Sequence, residues 1–175
     1  MSLNRTPRAQ RADRPARLAA RQHSAIESID RAHRHTQQLL AQMLQLVDLL
    51  ALPTPPPATA TLAARICHHF KGPDRGHHEN EETQVFPALL AAGSPALRDQ
   101  VRRLQQDHMW LEEDWLELEP HLQAVAHGYT EAHHEFLRAA LPEFTALCHE
   151  HMALEDALVH PKAAATQATN KPAAD

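Results

Sequence analysis

Residues 77–87 read HHENEETQVFP, and residues 151–161 read HMALEDALVHP, a second copy of the same pattern. Each copy has a histidine, a glutamate four residues later, a second acid directly after it, and a proline six residues beyond that first glutamate. Residues at positions i and i+4 of a helix lie on one face, one turn apart. An imidazole and a carboxylate placed in this way can bind the same metal ion, so two copies predict a two-metal site.

Length and composition indicate a single helical domain. The chain has 175 residues, which is enough for one domain with a hydrophobic core. Only 4 residues are glycine and 4% are aromatic, whereas residues that favour helices, such as alanine, leucine and glutamate, are abundant. Histidine is the outlier with 15 copies, and such a chain is a metal binder, a pH-sensitive surface or merely biased in composition.

Several classes of protein and location are disfavoured. The formal net charge of -5 argues against a general nucleic-acid binder. No apolar run approaches the roughly 20 residues that a membrane span needs, and no signal peptide is visible. Cys67 and Cys148 are too few for a disulfide scaffold and indicate a reducing compartment. We therefore expect a cytoplasmic protein with neither a membrane nor a nucleic-acid partner.

The chain divides into a central domain and two tails. Residues 1–22 contain six arginines among Ala, Gln and Pro. We expect a flexible basic tail there, with a phosphate- or partner-binding arm as the alternative. Residues 163–175 are rich in Ala, Thr, Lys and Pro, which predicts a disordered end. Residues 23–162 then form the folded domain.

Proline and glycine predict where four long helices begin and end. The helices run from about residue 24 to 51, 58 to 92, 95 to 127 and 131 to 160. The proline-rich stretch 53–57 ends the first, and Gly72-Pro73 interrupts the second. Ser94 caps the third with Pro95 at its first position, and Gly128 ends it. Short connections between long helices predict an all-α fold, an up-down-up-down antiparallel four-helix bundle.

In three of these helices a histidine fills a gap in the apolar stripe that faces the core. The stripe of the third helix skips only His108, while His33 and His151 fill the gaps of the first and fourth helices. The expected stripe residues are Ile26, Ile29, Leu40, Leu44 and Val47 in the first helix, Leu97, Val101, Leu104, Leu111, Trp115, Leu118 and Leu122 in the third, and Leu137, Leu141, Phe144, Leu158 and either Leu147 or Cys148 in the fourth.

In the second helix, either His77 or His78 could face the core. Aligning the two copies at their prolines pairs His77 with His151, so we favour His77 with Glu81 and keep His78 and Glu82 as further candidates. Counted from the helix ends, the four core histidines of neighbouring helices agree in height to about 3 Å. Because buried glutamates without a cation are costly, this coincidence favours a metal site.

The H-x3-E spacing is weak evidence by itself, because it occurs six times in the chain. At His108–Glu112 its meaning is open: Glu112 borders the stripe and is a candidate ligand, a hydrogen-bond acceptor behind a ligand, or a surface acid. Asp30 lies one turn before His33 and either orients a nearby ligand or is simply an acid near a helix N-terminus.

At these residues the chain resembles the hemerythrin-like (HHE cation-binding) family. The matching motifs are Asp30-x-x-His33, His77-His78-x-x-Glu81-Glu82-x3-Phe86-Pro87, Asp107-His108 and His151-x3-Glu155-Asp156-x4-Pro161. They span about residues 24–161 in a specific order and spacing. The resemblance implies a four-helix bundle that holds a non-haem di-iron centre.

The resemblance also implies which residues bind the two iron ions. Nitrogen ligands come from His33, His77, His108 and His151, and bridging carboxylates come from Glu81 and Glu155. Oxygen-carrying members have an H-x3-H pair on the third helix. Here the residues four before and four after His108 are Leu104 and Glu112, which argues against reversible oxygen transport.

The donor types point to the same chemistry without the family. Imidazole and carboxylate ligands with no thiolate suit iron or manganese better than structural zinc, although zinc also binds such sets. Carboxylate bridges hold two ions about 3.5–4 Å apart, and six protein ligands leave coordination positions open. We expect a protein that binds, senses or scavenges O2, peroxide or NO. The alternatives are an enzyme that consumes peroxide or NO or delivers iron, and a non-catalytic metal-buffering bundle.

Overall fold

The protein is all-helical in the residues that the structure describes, which confirms the predicted class there. The computed structural model describes residues 7–70, 76–128 and 131–169. Its helices are α1 (Pro7–Leu50), α2 (Ala58–Phe70), α3 (Gly76–Asn80), α4 (Phe86–Ala92), α5 (Pro95–Ala126) and α6 (Glu131–Thr169), and a π-helical turn, Glu81–Val85, joins α3 to α4. No helix within these ranges is long and apolar enough to cross a membrane.

The helix ends that proline, glycine and serine predict are largely those observed. Helix α5 begins at Pro95, and the Leu97 N–H donates a hydrogen bond to Ser94 Oγ over 3.3 Å, as an N-cap does. Gly128 follows the end of α5 with a φ of 82°, a conformation that glycine adopts without strain. The predicted interruption at Gly72-Pro73 falls between α2 and α3, outside the described residues.

Two helices extend further than expected. Helix α1 begins at Pro7, inside the segment predicted as a basic tail, and α6 continues to Thr169, inside the predicted C-terminal tail. Both extensions are rich in alanine, and the first also in arginine, residues with high helix propensity. The division of the chain at residues 22 and 162 stays a prediction.

The helices pack in a closed ring of neighbours. Helix α1 packs against α2 and α6, and α5 packs against the same two helices, α2 and α6. Helices α3 and α4 with the π turn continue the column that α2 begins, since they also contact α1 and α5. Each long helix therefore has two long neighbours and one face toward a shared interior.

The interior consists of two apolar clusters. The large core combines residues from the second half of α1, from α2, from the second half of α5 and from the first half of α6. The small core contains Ile29, Val85, Phe86, Leu89, Leu97, Val101, Leu104 and Leu158. Along α1 and α5, the segment that separates the two clusters carries a histidine, and along α6 it carries Glu155, one turn after His151.

The predicted stripes hold for α5 and α6. All seven stripe residues expected in α5 are buried, and in α6 Cys148 rather than Leu147 is the buried alternative. In α1 the expectation for Leu44 is wrong, because its side chain is 42% exposed whereas Met43 and Leu46 are fully buried. His33 and Leu40 are buried as predicted, so the register error is confined to the end of α1 that lies away from the histidine.

Candidate metal centre

A polar layer of five buried side chains separates the two cores. It consists of His33, Glu81, His108, His151 and Glu155, and both glutamates are 0% exposed. Each of the three histidines occupies the gap in the apolar stripe of its helix that the sequence shows. Ionisable groups are rarely buried to this extent unless they are paired with an opposite charge or a metal ion, so the layer is the candidate functional site.

The donor atoms of the layer and its neighbours fall into two groups that share one residue. One group contains His33, His77 and Glu81, and the other contains His78, Glu81, His108 and His151. Within each group the nitrogen and oxygen atoms all lie within 4.8 Å of one another. Two ligands on opposite sides of one ion lie about 4.2 Å apart, so both groups are close to the size of a coordination sphere.

Glu81 reaches both groups because of the local helix geometry. His77 and His78 lie four and three residues before it, and both positions share its face of the helix. The π turn starts at Glu81, and the Phe86 N–H donates to the Glu81 carbonyl five residues back. In an α-helix these two side chains would point about 140° apart, whereas here both are fully buried. Pro87 favours this wider turn, because its ring has no N–H for an α-helical bond and clashes with the carbonyl four residues earlier.

Glu155 joins the two groups from the opposite helix. Its Oε2 lies 3.0 Å from His33 Nε2 and 3.4 Å from His151 Nε2. His33 belongs to one donor group and His151 to the other. One carboxylate on the second helical column, Glu81, and one on α6, Glu155, thus stand between the two sets of imidazoles.

Three carboxylates lie behind the histidines, on the side away from the shared glutamates. His33 Nδ1 donates to Asp156 Oδ1 over 3.1 Å, and His108 Nδ1 donates to Glu82 Oε1 over 3.0 Å. Asp107 Oδ2 is 3.8 Å from His151 Nδ1, an ion-pair distance rather than a hydrogen bond. A hydrogen bond at Nδ1 sets the tautomer and turns the Nε2 lone pair inward, as is usual behind metal-binding histidines.

In the metal-free protein the pKa values of the two buried glutamates are shifted in opposite directions. Burial and the neighbouring Glu155 raise the pKa of Glu81 to about 11, so Glu81 holds a proton at neutral pH. Burial alone would raise the pKa of Glu155 too, but the adjacent imidazoles of His151 and His33 outweigh it and hold that pKa well below the ordinary value. Two adjacent buried carboxylates cannot both ionise without a compensating positive charge.

The pKa values of the histidines are also shifted in opposite directions. Burial lowers the pKa of His33, but Glu155 and Asp156 outweigh it, so the pKa is raised overall. Burial and the neighbouring His77 lower the pKa of His78, and burial also lowers that of His108. Neutral imidazoles are the form that binds metal ions, so the group around His78 and His108 is ready to bind at neutral pH.

The layer contains polar atoms that protein hydrogen bonds do not satisfy. Among the buried side chains that the structure describes, those without a hydrogen-bond partner include both carboxylate oxygens of Glu81, Glu155 Oε1, His108 Nε2 and both ring nitrogens of His151. Native proteins rarely leave buried polar atoms unpaired, and a metal site is one reason for such exceptions. These atoms are oxygen and imidazole nitrogen, so the residues present fit divalent iron or manganese.

An apolar pocket of about 60 Å³ adjoins this centre, with room for a few water-sized molecules. His77, His78 and His151 form part of its wall. The apolar part consists of Phe70, Leu111, Trp115, Phe144, Cys148 and Met152. Phe70 stacks on Trp115 with ring centroids 4.2 Å apart. Burial, together with the charge of Asp114, raises the pKa of Cys148 to about 12, so its thiol stays neutral.

The structure brings together all six residues that the sequence placed in the site. His33, His77, His108, His151, Glu81 and Glu155 lie in or between the two donor groups. Of the further candidates, His78 lies in a donor group and Glu82 lies behind His108. Glu112 is exposed, lines the pocket and belongs to neither donor group. Asp30 is half-exposed, does not line the pocket and also belongs to neither donor group.

Sequence reasoning missed Asp156 and Asp107 as partners of the histidines. Asp156 directly follows Glu155, so it points away from the layer on its own helix and meets His33 of α1 from behind. Asp107 directly precedes His108 yet faces His151 of α6. The signal available was an acid next to His108 and next to Glu155, but which histidine each acid meets depends on how the helices pack.

Comparisons with known proteins address the family. The chain matches the family model described as hemerythrin HHE cation binding domain over residues 24–163. Comparisons with individual curated proteins and with solved structures gave no significant match. The family match covers most of the chain, including every histidine and glutamate of the polar layer. The chain therefore belongs to the hemerythrin HHE cation-binding domain family.

Proposed function

We propose that this chain is a non-haem di-iron protein that binds, senses or scavenges a small ligand such as O2, peroxide or NO. The observation that carries the proposal is the pair of donor groups that share Glu81 and are linked again through Glu155. A carboxylate shared by two sets of ligands is the arrangement that holds two metal ions about 3.5–4 Å apart. Manganese or zinc could occupy the same donors, and iron is the metal we propose.

The proposed ligand set has seven residues. His33 and His77 would hold one ion, His78, His108 and His151 the other, and the carboxylates of Glu81 and Glu155 would serve both. This set adds His78 to the six residues that the sequence favoured. If both glutamates bridge, one ion has four protein ligands and the other five, so positions for a small ligand remain on both. Iron bound here would supply those open positions and the electrons for redox chemistry.

The surrounding protein is suited to a small, weakly polar ligand. The apolar pocket lies directly beside His77, His78 and His151, so a diatomic molecule can approach the centre through apolar surroundings. Phe70 packs against both Trp115 and Phe144, so the pocket wall on this side of the centre is largely aromatic. The hydrogen bonds from His33 and His108 to Asp156 and Glu82 hold the imidazoles in orientation while a ligand enters or leaves.

We also propose the arrangement of the fold and its setting in the cell. The ring of neighbours formed by α1, the α2–α4 column, α5 and α6 supports an up-down-up-down four-helix bundle. Two cysteines, both buried and neither in a disulfide, support a reducing cytoplasm. Residues 23–162 would then be the functional domain, with no nucleic-acid partner expected from the net charge of -5.

The proposed function is tested by loading the full chain anaerobically with two equivalents of Fe²⁺ and adding O2, hydrogen peroxide or NO in turn. Stoichiometric binding, seen as a new absorption band without continued consumption of the ligand, supports a binding or sensing protein. Sustained loss of peroxide or NO over many equivalents would favour the enzyme alternative. If none of the three changes the spectrum of the iron-loaded protein, the proposal is wrong.

Matched variants connect the response to the centre. His78→Ala removes a donor of the second group and should abolish the spectral response, because that group then has two imidazoles instead of three. His35→Ala is the control, since His35 lies on α1 two residues from His33 but belongs to neither donor group. An equal loss in both variants would assign the response to general destabilisation.

A further inference from the structure

A pair of histidines lies near the C-terminal end of α5, away from the polar layer. His121 is on α5 and His133 is on α6, and their Nδ1 atoms are 3.0 Å apart. His121 lies 13 residues after His108 on one continuous helix, which is about 20 Å. The pair is therefore separate from the candidate centre and shares no residue with it.

We propose that His121 and His133 form a peripheral binding site for one divalent transition metal ion of the Cu²⁺, Ni²⁺ or Zn²⁺ class. This site is independent of the proposed function, because it uses none of the residues of the polar layer. The two imidazoles come from helices that pack on each other, so the pair forms only in the folded protein.

The separation of the two nitrogens matches that of two ligands on one ion. Metal–imidazole bonds are about 2.0–2.1 Å long, so two of them at right angles place their nitrogens about 2.9 Å apart. The observed 3.0 Å is close to this value. As a hydrogen bond the same contact needs a proton on one Nδ1 only, whereas an ion uses both lone pairs. Nitrogen donors at right angles suit Cu²⁺ and Ni²⁺ in particular.

The surroundings hold the pair in place and favour neutral rings. Phe136 stacks on His121 with centroids 4.0 Å apart and an interplanar angle of 22°, which limits rotation of that ring. Partial burial and the neighbouring His133 lower the pKa of His121, so its ring is neutral at pH 7. Glu117 lies one turn before His121 on α5, and its negative charge acts on the same ring.

Both rings are only partly buried, so an ion can enter from solvent. The remaining coordination positions would be filled by water and, after a change of side-chain rotamer, by the Glu117 carboxylate. Two imidazoles with water predict weaker binding than in the polar layer, and Cu²⁺ should bind more tightly than Ni²⁺ or Zn²⁺.

The site is tested in the iron-loaded protein, so that the polar layer is already occupied. Calorimetric titration with Ni²⁺ should show one equivalent that is lost, or weakened at least about tenfold, in His121→Phe and in His133→Ala. His121→Phe keeps an aromatic ring that can stack on Phe136 but has no nitrogen donor. Iron content measured before and after the titration should stay constant. Unchanged Ni²⁺ stoichiometry and affinity in both variants would overturn the proposal.

A control and a spectroscopic readout exclude indirect effects. His127→Ala removes a nearby histidine whose Nδ1 lies 2.7 Å from Gln123 O on its own helix, and it should retain the equivalent. The electron paramagnetic resonance spectrum of one bound Cu²⁺ should show two coordinated imidazole nitrogens in the wild type and one in His133→Ala. The same spectrum in the wild type and in His133→Ala would contradict the assignment. So would a loss of Ni²⁺ binding in His127→Ala equal to that in His133→Ala.

Discussion

At the scale of single residues, Glu81 determines the need of the centre for a positive charge. It is fully buried next to a second buried carboxylate, and its raised pKa of about 11 means that the metal-free protein keeps it protonated. In the proposed centre a bound cation would replace that proton, because it would supply the positive charge that lets both glutamates ionise. Metal binding and proton release would thereby be coupled at one side chain.

Metal binding should therefore release protons at pH 7. Zn²⁺, as a redox-inactive probe, should displace at least one proton per chain, from Glu81 and in part from His33, whose pKa is also raised. Titration calorimetry in buffers of different ionisation enthalpy measures the number. Glu81→Gln should release fewer protons, whereas Glu79→Gln, an exposed acid two residues earlier, should behave as the wild type. Binding without proton release would show that Glu81 is ionised in the metal-free protein.

The carboxylate behind His33 should tune metal affinity without being a ligand. Asp156→Asn removes the charge that accepts the His33 Nδ1–H, and we expect metal affinity to fall about 10–100-fold while the fold is retained. Asp99→Asn is the matched control, because Asp99 is 72% exposed and pairs only with Arg102 on the surface among the contacts described. Competition with a chelator of known affinity measures both, and equal affinities would contradict the role of Asp156.

At the residue scale, burial was predictable where the signal lay within one helix. A histidine that interrupts an apolar stripe is visible in the sequence, and His33, His108 and His151 are buried as predicted. The sequence alone leaves His77 and His78 as alternatives, although positions three and four residues before Glu81 both share its face. Asp156 was out of reach, because its contact with His33 joins residues 123 positions apart.

At the scale of helices, the junction between α4 and α5 positions the π turn. Gly93 lies between these helices, and a Cβ there would be 2.5 Å from the Leu89 carbonyl oxygen and 2.6 Å from Leu97 Cδ2. Leu89 and Leu97 belong to the small core together with Phe86, which follows the π turn. The close approach at Gly93 therefore holds the end of the helical column that presents Glu81.

Gly93→Ala should destabilise the protein by about 1–3 kcal/mol, because the new methyl group overlaps backbone that cannot rotate away. It should also weaken metal binding by displacing α4 and the π turn. Gly128→Ala is the matched control: it has open space but a φ of 82°, so it should cost about 1–2 kcal/mol through backbone strain. It lies 20 residues beyond His108, so metal affinity should not change.

Denaturant unfolding and metal titration of the two variants measure these effects. Full stability in Gly93→Ala, or weakened metal binding in Gly128→Ala alone, would contradict this account of the junction.

Helix ends were predictable because their signals are local. Ser94-Pro95 and Gly128 act through hydrogen bonds and φ angles of adjacent residues, and the structure confirms both. The π turn was not predicted, since it depends on burying Glu81 and Phe86 on one face at the same time. On an α-helix the buried residues 81, 85, 86 and 89 would lie within an arc of about 140°, so their spacing alone does not indicate a wider turn.

At the scale of the whole molecule, the polar layer divides the interior into two apolar cores. Without metal, the layer and the adjoining His78 contain neutral imidazoles that must take up protons when the chain unfolds in mild acid. The pKa values of His78 and His108 are lowered from 6.5, so the folded state binds fewer protons there than the unfolded state. Their contribution to stability is lost as the pH falls below 6.5. His33 and Glu81 act in the opposite direction, because their raised pKa values mean that they release protons on unfolding.

The metal-free protein should lose stability as the pH falls from about 6 to 5, where proton uptake by His78 and His108 on unfolding exceeds proton release by Glu81, by up to about 1.4 kcal/mol per pH unit for each net proton taken up. His78→Asn should reduce this slope by the contribution of one proton. Denaturant unfolding at several pH values in the presence of a chelator measures both proteins. Equal slopes would mean that His78 is already protonated in the folded protein, or that its pKa is not lowered by burial.

The most direct test of the central claim is the number of iron ions per chain. After anaerobic loading and removal of excess iron, elemental analysis should find two iron ions per chain in the wild type. Glu81→Ala should hold one or none, because the residue shared by both donor groups is gone, and Glu79→Ala should hold two. One iron ion or none in the wild type, or two retained in Glu81→Ala, would contradict a two-metal centre built around Glu81.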